Sequence, residues 1–476
     1  MSSSNQQANA SAEAISVLAL QGAYKPDSDP LLNVIHPSKS FQNAGLELIR
    51  GDRSWHDKGV TDTPVNLSYS FWEQAPANMS SMAISGFSSF NQQQREQAKL
   101  SLQSWSDVAN ITFTETSNTQ NANIKFGLFD VSSRGSYAFA YNPDSSASVA
   151  GQTWYNATSN VFANNLIHEN EYGRQTLTHE IGHALGLQHP GDYNAAPGVS
   201  ITYNQDATYF EDSRAHSVMS YFSESSTGQD FQGAYSSAPL LNDITAIQHF
   251  YGANMTTRSG DTTYGFNSNT DRDFLTATGA QDKVVFSAWD AGGTDTFDFS
   301  GFSQNQRINL NEQSFSDVGG LKGNVSIAAG VTIENAFGGA GNDVIIGNNT
   351  NNILMGGAGD DILYGGGESD HLFGNEGKDT FVYFAANESR ADAPDWIVDF
   401  VSGEDKIDLS LFNTGDSTGI EFVSQFSGKA GEAMLSYDVQ TQVSDLAINL
   451  GGGFDARDFL VKVVGQPLET SDFVLA

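Results

Sequence analysis

The sequence predicts an α+β domain followed by an all-β domain, which begins as a parallel β-roll and ends in a β-rich segment. Three observations predict this order. Three histidines lie within eleven residues before the middle of the chain, two of them at helical spacing, and a nine-residue glycine-rich repeat begins at Gly338. The length, 476 residues, is more than one hydrophobic core usually supports. We expect residues 1–20 to be disordered, residues 21–257 to form the first domain and residues 258–476 to form the second.

The first domain is predicted to open with a helix and strands. Residues 1–20 are rich in Ser, Ala, Asn and Gln, a composition typical of disorder. The apolar spacing from Gln94 to Ala109 predicts an amphipathic helix. Alternating residues predict strands from Ile111 to Glu115 and from Asn123 to Leu128. A helix and a mixed sheet therefore precede the histidines.

The three histidines belong to the run HEIGHALGLQH, which begins at His179. In a helix, residues four apart share one face, so His179 and His183 are close enough to bind one ion. Gly186 permits a left-handed conformation that ends the helix, after which the chain can bring His189 to the same ion. Glu180 lies about 100° round the helix from His179, so it can reach a metal-bound water rather than the metal.

This ligand set predicts a catalytic zinc site. Three neutral imidazoles leave a coordination position open for water, whereas a structural site is closed. Zinc lowers the pKa of bound water to about 7 and polarises a carbonyl, which equips the site for amide hydrolysis with Glu180 as general base. The alternative is an amphipathic helix with incidental surface histidines, and the fixed offsets of the three histidines argue against it.

A turn with a methionine, Ser217 to Tyr221, follows the histidines. Alone, Met219 is typical of a flexible core side chain and Tyr221 of a buried aromatic. Together with H-E-x-x-H-x-x-G-x-x-H, however, this turn resembles that of the metzincin metallopeptidases, whose catalytic domain is a zincin fold. In members with an S-x-M-S-Y turn the tyrosine is a further zinc ligand that moves away to hydrogen-bond the transition state. The resemblance implies this role for Tyr221.

The second domain is predicted from five consecutive repeats, which start at Gly338, Gly347, Gly356, Gly365 and Gly374. Their sixth positions are Asp343, Asn352, Asp361, Asp370 and Asp379, and every eighth position is large and apolar. This is the G-G-x-G-x-D-x-U-x repeat of RTX proteins, in which glycine-rich turns bind Ca²⁺ and short strands stack into a β-roll. A flexible linker has no reason to keep an apolar residue at every ninth place.

Several calcium ligands are predicted from this pattern. Within the repeats they are Gly339, Gly341, Asp343, Gly356, Gly357, Ala358, Gly359, Asp360, Asp361, Asp370 and Asp379. Upstream, further ligands are predicted at Asp290, Gly292, Gly293 and Asp295, where the turn has similar chemistry. Thr332 and Glu334 are predicted because they lie just before the first repeat. Either segment could also be an ordinary surface turn. Three copies, those at Gly347, Gly365 and Gly374, depart from the pattern, and we expect their turns to bind calcium weakly or not at all.

Composition narrows the possible partners. The chain has 56 acidic and 22 basic residues and a formal net charge of -34, which disfavours nucleic acid and anionic membranes. Cysteine is absent, so disulfides, thiolate nucleophiles and cysteine zinc sites are excluded. No apolar stretch reaches the length of a membrane span, and the amino terminus lacks the features of a Sec signal peptide. A cytoplasmic enzyme would also fit these last two facts.

Nearly the whole chain resembles the serralysins, the RTX-type metzincin alkaline proteases of bacterial type I secretion. The resemblance rests on the histidine run, the methionine turn, the repeats and the runs DWIVDF and DKIDLS that begin at Asp395 and Asp405. It implies a short propeptide within residues 1–20. It also implies that substrate lies along an edge strand at Ala138–Tyr141, which favours broad specificity because backbone is recognised. Further calcium ligands at the domain junction are implied at Arg258, Gly260 and Thr262.

The resemblance also implies a location and partners. Serralysins leave the cell through a type I exporter that reads an uncleaved C-terminal signal, and residues 471–476 end like that signal, although they would equally suit a final strand. We therefore expect a secreted monomer, with a proteinaceous protease inhibitor as a further partner. We hypothesise that the roll is disordered at low calcium and folds outside the cell, because metal binding supplies folding energy.

Two function classes follow. The first is a secreted zinc endopeptidase with one catalytic zinc ion and several structural calcium ions. The second is a calcium-folded adhesin or interaction protein with a non-catalytic zinc site. Glu180 favours the first, since a structural site has no use for a base. Hydrolysis of a substrate other than a peptide is opposed only by the metzincin features.

Overall fold

The computed structural model describes residues 10–26, 35–132, 137–159, 162, 168–415, 419–451, 453 and 457–476. In the first domain, a six-stranded sheet has the order β3-β1-β4-β6-β5, and β2 pairs with β4. These strands are β1 (Val65–Phe71), β2 (Ile84–Ser88), β3 (Ile111–Glu115), β4 (Ile124–Ser132), β5 (Ala138–Ala140) and β6 (Gln152–Asn156). β2 and β5 pair antiparallel with their neighbours, and the other pairings are parallel. The predicted mixed sheet and its edge strand at Ala138 are therefore confirmed.

Six α-helices occur in the described residues up to 251, and the first of them packs on the second domain rather than on this sheet. They are α1 (Ala12–Gln21), α2 (Phe41–Glu47), α3 (Gln92–Val108), α4 (Tyr172–Ala184), α5 (Tyr203–Asp206) and α6 (Leu241–Tyr251). The predicted amphipathic helix is α3, and it begins with a capping box in which Asn91 and Gln94 bond each other's backbone. Trp105 of α3 and Ile181 of α4 are fully buried in the same core. This packing positions α4, which carries two of the histidines.

The second domain is a β-roll of two large sheets, which are parallel except for antiparallel pairing within residues 430–464. One sheet contains β10 (Arg307–Asn309), β14 (Val344–Ile346), β16 (Ile362–Tyr364), β18 (Thr380–Val382), β20 (Lys406–Asp408) and β25 (Phe473–Val474). The other contains β7 (Thr263–Gly265), β9 (Thr296–Asp298), β13 (Asn335–Phe337), β15 (Ile353–Ala358), β17 (His371–Glu376), β19 (Asp395–Ile397), β21 (Glu421–Phe422), β22 (Ala430–Asp438), β23 (Val443–Leu450) and β24 (Phe459–Val464). A small sheet joins β8 (Phe286–Ala288), β11 (Phe315–Ser316) and β12 (Val325–Ile327).

Successive repeats alternate between the two large sheets. Ile345 therefore pairs with Leu363, eighteen residues later, and Leu363 pairs with Phe381. In the opposite sheet Leu354 pairs with Leu372. All five of these side chains have 0% exposure, so the apolar eighth position is the interior of the roll, as the period predicted.

The expectation of a disordered amino terminus is wrong for residues 12–20, which belong to α1. Ala14, Val17 and Leu20 recur every three residues and pack against Ile346 and Val382 on the outside of the roll. Burial of this apolar stripe stabilises a helix that composition alone does not suggest. Residues 1–9 lie outside the described part of the chain, and whether a propeptide is removed stays a prediction.

The two predicted domains share one continuous core, which extends from Leu48 to Phe473. At their junction the carboxylate of Asp107, on α3, accepts hydrogen bonds from Nε and Nη2 of Arg272 at 2.7 and 2.8 Å. Nη1 of Arg258 donates to the same carboxylate at 3.3 Å. The boundary between residues 257 and 258 stays a prediction, because no gap in packing marks it.

Candidate metal centre, cleft and calcium turns

The three histidines converge on one point. Nε2 of His183 lies 3.1 Å from Nε2 of His189, which in turn lies 3.3 Å from Nε2 of His179. His179 and His183 project from α4, and the chain then reverses at Gly186, whose φ is +110°. A Cβ atom at Gly186 would lie 2.6 Å from the carbonyl oxygen of Arg53. Glycine is therefore required at this reversal by both backbone angle and space.

The outer nitrogen of each imidazole is held by a backbone carbonyl. The Nδ1 atoms of His179, His183 and His189 each lie 2.8 Å from a carbonyl oxygen, those of Val218, Leu187 and Tyr193 respectively. Because a carbonyl can only accept, each Nδ1 carries the proton. Each Nε2 therefore has a lone pair, which is directed toward the Nε2 atoms of the other two histidines. Burial lowers the pKa of His179 to about 3 and that of His183 to about 4, so the rings are neutral. Three facing lone pairs fit a zinc ion.

Glu180 is buried beside these rings and has an unused oxygen. Its Oε2 atom is buried and has no hydrogen-bond partner in the described part of the chain. Burial raises the pKa of Glu180 to about 8. A divalent cation nearby stabilises the carboxylate and opposes this shift, which leaves a base poised near neutral pH.

The methionine turn lies directly beneath α4. Met219 is fully buried, and the turn is held by Asp243 of α6, whose carboxylate accepts from Ser217 Oγ at 2.6 Å and from the Val218 amide at 2.8 Å. Asp243 also accepts from the amide of Leu240 and so caps its own helix. Sequence reasoning did not identify Asp243. Its only signal was an acidic residue in the first turn of a helix.

Tyr221 lies against the histidines. Its ring centroid is 4.4 Å from that of His189 and 6.0 Å from that of His179. Burial and the charge of Glu180 both raise the pKa of Tyr221, so the phenol keeps its proton. A second buried acid missed by sequence reasoning, Asp212, accepts from Tyr193 Oη at 2.8 Å and from Ser220 Oγ at 2.7 Å. Asp212 thereby fixes the residue before Tyr221.

A cleft of about 340 Å³ opens beside the histidines. Its walls are the edge strand at Ala138, helix α4 and the methionine turn. Tyr172, Gln175 and Arg214 also line it, and His179 and Glu180 form part of its surface. The arrangement can place an extended peptide along β5 with one side chain in the cleft.

The repeats stack their acidic residues into a ladder. The amide of Asp343 donates to Oδ1 of Asp361 at 2.7 Å, that of Asp361 to Asp379 at 2.9 Å, and that of Asp379 to Asp405 at 3.0 Å. On the other side of the roll, the backbone amide of Asn352 donates to Oδ1 of Asp370 at 2.8 Å, and that of Asp370 donates to Oδ1 of Asp395 at 3.0 Å. Asp395 and Asp405 extend the ladder although they lie beyond the regular period, which is why spacing did not identify them.

The ladder leaves carboxylate oxygens without partners. The Oδ2 atoms of Asp361, Asp370, Asp379 and Asp395 are buried and make no hydrogen bond in the described part of the chain. Burial raises the pKa of Asp361 to about 8, that of Asp370 to about 7 and that of Asp379 to about 6. Stacked, desolvated carboxylates of this kind fit a hard divalent cation such as Ca²⁺.

The predicted glycine ligands stack in the same way. Gly357 and Gly359 have φ of +116° and +120°. A Cβ atom on Gly357 would lie 2.1 Å from the carbonyl oxygen of Gly339, and one on Gly359 would lie 2.6 Å from that of Gly341. The intervening Ala358 donates its amide to the Gly339 carbonyl at 2.9 Å. Glycine thus permits the close approach of carbonyls that a cation site needs.

Other predicted ligands in the repeats have different surroundings. Gly356 lies against the carboxylate of Asp361, where a Cβ atom would be 2.2 Å from Oδ2. Asp360 is exposed, and its Oδ1 accepts from the amide of Lys378 at 3.0 Å. In the copy at Gly347, the side-chain Nδ2 atoms of Asn348 and Asn352 donate to the backbone carbonyls of Ile333 and Glu334 respectively.

A second acidic cluster lies at the domain junction. Asp295 accepts from the Thr262 amide at 2.8 Å, donates its own amide to Glu334 at 2.7 Å, and has a buried Oδ2 without a partner in the described residues. Asp290 accepts from the Gly292 amide at 2.8 Å. Burial is the main cause that raises the pKa of Asp295 to about 7, and the negative charges of Asp290 and Glu334 also raise it.

Of the remaining predicted ligands at the junction, Gly260 lies near the acidic cluster, whereas the side chains of Thr332 and Arg258 have other surroundings. Gly260 is close to this cluster, because its carbonyl accepts from Thr262 Oγ1 at 2.9 Å and a Cβ atom on Gly293 would lie 2.6 Å from its carbonyl carbon. Thr332 is exposed. The Arg258 guanidinium is directed elsewhere and donates to the Trp289 carbonyl. Only the backbone of Arg258 is therefore available to a cation.

The sheet, the histidine helix and the buried methionine turn together define a zinc metallopeptidase of the metzincin class. Residues 72–212 match the family model described as Matrixin, and residues 253–475 match that described as Peptidase M10 serralysin C terminal. Serralysin of Photorhabdus luminescens is 63% identical over 95% of this chain and 93% of its own length. Serralysin C of Dickeya chrysanthemi is 56% identical over 92% and 91%, and metallopeptidase AprA of Pseudomonas marginalis is 56% identical over 90% of each.

The chain belongs to the serralysin family, and it is a zinc metalloendopeptidase. The expected family, fold class and enzyme class are thereby confirmed. Among the described residues, no helix has the length and apolar character needed to cross a bilayer.

Proposed function

We propose that this chain is a secreted endopeptidase of broad specificity in which His179, His183 and His189 bind the catalytic zinc ion and Glu180 is the general base. One observation carries the proposal: three imidazole lone pairs converge beside the unpartnered, buried oxygen of Glu180. Zinc bound there supplies polarisation of the scissile carbonyl and lowers the pKa of water. The carboxylate of Glu180 accepts a proton at Oε2 and returns it to the leaving amine.

The surrounding residues bind and orient the substrate. β5 is last in the strand order of its sheet, so we propose that an extended peptide pairs with its backbone, and this mode of binding tolerates many sequences. Tyr221 is proposed as a further zinc ligand in the resting enzyme and as a hydrogen-bond donor to the transition state. Its protonated phenol supports the role of donor, and its contact with His189 places it close enough for the role of ligand.

Several calcium ions are proposed to complete the roll. The unpartnered oxygens of the carboxylate ladder and of Asp295 support sites in the repeats and at the domain junction. In a calcium-poor cytosol these carboxylates would repel one another, so we propose that the roll remains unfolded for a type I exporter and folds in the extracellular medium. The secreted enzyme is proposed to act as a monomer on protein substrates, with a proteinaceous inhibitor as a further partner.

Substitution of Glu180 tests the catalytic assignment. Glu180→Gln keeps the shape of the side chain and removes the base, so casein hydrolysis should fall by about 10²- to 10⁴-fold. Glu171→Gln, an exposed substitution just before the same helix, should retain activity. Zinc content is measured in all three proteins, and o-phenanthroline should abolish wild-type activity. Near-normal hydrolysis by zinc-loaded Glu180→Gln would contradict the proposal.

A further inference from the structure

Arg214 differs from the other arginines in the described part of the chain. Each of the others has a carboxylate oxygen within 4.0 Å of its guanidinium. Arg214 has none there, although the protein carries a net charge of -34. It lies in the wall of the cleft that contains His179 and Glu180. An unpaired cation beside the reacting centre is therefore available to a ligand.

The guanidinium of Arg214 is held in place by aromatic rings and one hydrogen bond. Its Cζ atom is 5.6 Å from the ring centroids of both Tyr172 and Tyr235, which pack against each other. Its Nη2 atom donates to the backbone carbonyl of Tyr221 at 2.9 Å. These contacts fix the group without neutralising it, and a guanidinium has five N–H donors in total. A preorganised fork of this kind suits a carboxylate.

Gln175 supplies a second polar group in the same cleft. The residue is 4% exposed, and its Oε1 atom is buried without a hydrogen-bond partner in the described structure. A buried amide normally forms hydrogen bonds, so an unpartnered one at the wall of a cleft indicates that a polar ligand group completes it. The amide can turn either its oxygen or its nitrogen toward that ligand. Because Arg214 is positively charged, an acidic side chain of the ligand is favoured over an amide side chain.

The position of the cleft identifies the ligand. It adjoins Glu180 on one side and the edge strand at Ala138 on the other, so a peptide aligned on that strand would direct a side chain next to the scissile bond into it. We propose that Arg214 is a specificity-determining residue, which binds the carboxylate of a Glu or Asp side chain adjacent to the cleaved bond. The inference deepens the proposed endopeptidase function and rests on it.

Paired peptides test the inference. Fluorogenic peptides that differ only by Glu or Gln are prepared with that residue at each position flanking one cleavage site, and kcat/KM is measured for both. At one position, Arg214→Gln should lower the Glu-to-Gln ratio of kcat/KM roughly tenfold relative to wild type, because a charge-assisted contact is lost. Arg214→Lys should retain part of the ratio. The wild-type ratio should fall as salt is increased.

A purely structural role for Arg214 predicts a different result. If Arg214 served only to hold the carbonyl of Tyr221, Arg214→Gln would lower kcat/KM equally for both members of every pair. An unchanged ratio at all positions, in a variant with wild-type zinc content and circular dichroism, would overturn the inference. Absence of cleavage of all peptides by the zinc-loaded wild type would instead overturn the proposed function.

Discussion

A methyl group on Gly182 would lie 2.6 Å from the Sδ atom of Met219. Gly182 lies on helix α4 between His179 and His183, and Met219 lies in the turn beneath it. The same methyl group would lie 3.1 Å from Cζ2 of Trp105. The helix and the turn are therefore in contact without any space for a side chain, and glycine is what permits the turn to approach.

This contact predicts the effect of Gly182→Ala. The added methyl overpacks a fully buried contact, so the free energy of unfolding should fall by about 1–3 kcal/mol. Because the helix is displaced relative to the turn that holds His179, zinc should also be lost to a competing chelator at lower chelator concentration. Urea unfolding and zinc competition measure the two effects. In the double variant with Met219→Ala, the loss should be smaller than the sum of the single losses, and strict additivity would argue against the contact.

The amino-terminal helix α1 is predicted to stabilise the roll. Leu20 is 1% exposed on the roll, whereas Leu18 in the same helix is 39% exposed. Leu20→Ala should lower the free energy of unfolding by about 2–5 kcal/mol, and Leu18→Ala should change it little. Denaturant unfolding of the full chain in calcium measures both. Equal effects of the two substitutions would show that α1 does not pack on the roll in solution.

Metal-free protein should lose stability as the pH rises. Burial raises the pKa values of Asp343 and Asp379 to about 6 and that of Asp361 to about 8, above the value of 3.8 for an unperturbed aspartate. At pH values between the unfolded and the folded pKa, the folded state binds more protons than the unfolded state. The contribution of these groups to stability is therefore greatest below about pH 4 and is lost as the pH rises through about 6 to 8.

Calcium should reverse this dependence, because it binds the deprotonated carboxylates. The midpoint of urea unfolding, followed by circular dichroism, is compared at pH 5 and pH 8 in chelator and in calcium. We expect a lower midpoint at pH 8 in chelator and a higher one in calcium. The same direction in both conditions would contradict the assignment of the ladder as a calcium site.

Asp361→Asn should separate calcium binding from folding of the ladder. An asparagine, Asn352, already occupies the equivalent position in the second repeat, so the amide is accommodated. Loss of one charge should weaken calcium binding roughly tenfold or more, while the metal-free roll should be as stable as wild type or more so. Calcium titration monitored by circular dichroism measures the change. Glu421→Gln, an exposed substitution in the same domain, should leave the titration unchanged.

Residues linked by local periodicity were predictable from the sequence. His179 and His183 share a helix face because four residues make about one turn, and the buried position of Ile345 and its counterparts follows from the nine-residue period. The ring orientation of the histidines was not predictable, since it depends on carbonyls of Val218, Leu187 and Tyr193. The helix from Ala12 to Gln21 was likewise missed, because its weak apolar stripe is stabilised only by contact with the roll.

The sequence by itself determined the fold class, the grouping of the three histidines and the repeat pattern of the ladder, because each is encoded in spacing along the chain. Only the tertiary structure decided which distant groups meet. Asp243 reaches the methionine turn from α6, Asp395 and Asp405 extend the ladder, and Arg214 lines the cleft with no carboxylate beside it among the described residues. These contacts join residues far apart in sequence, and their energies depend on burial and on the absence of competing partners. No local pattern reports either quantity.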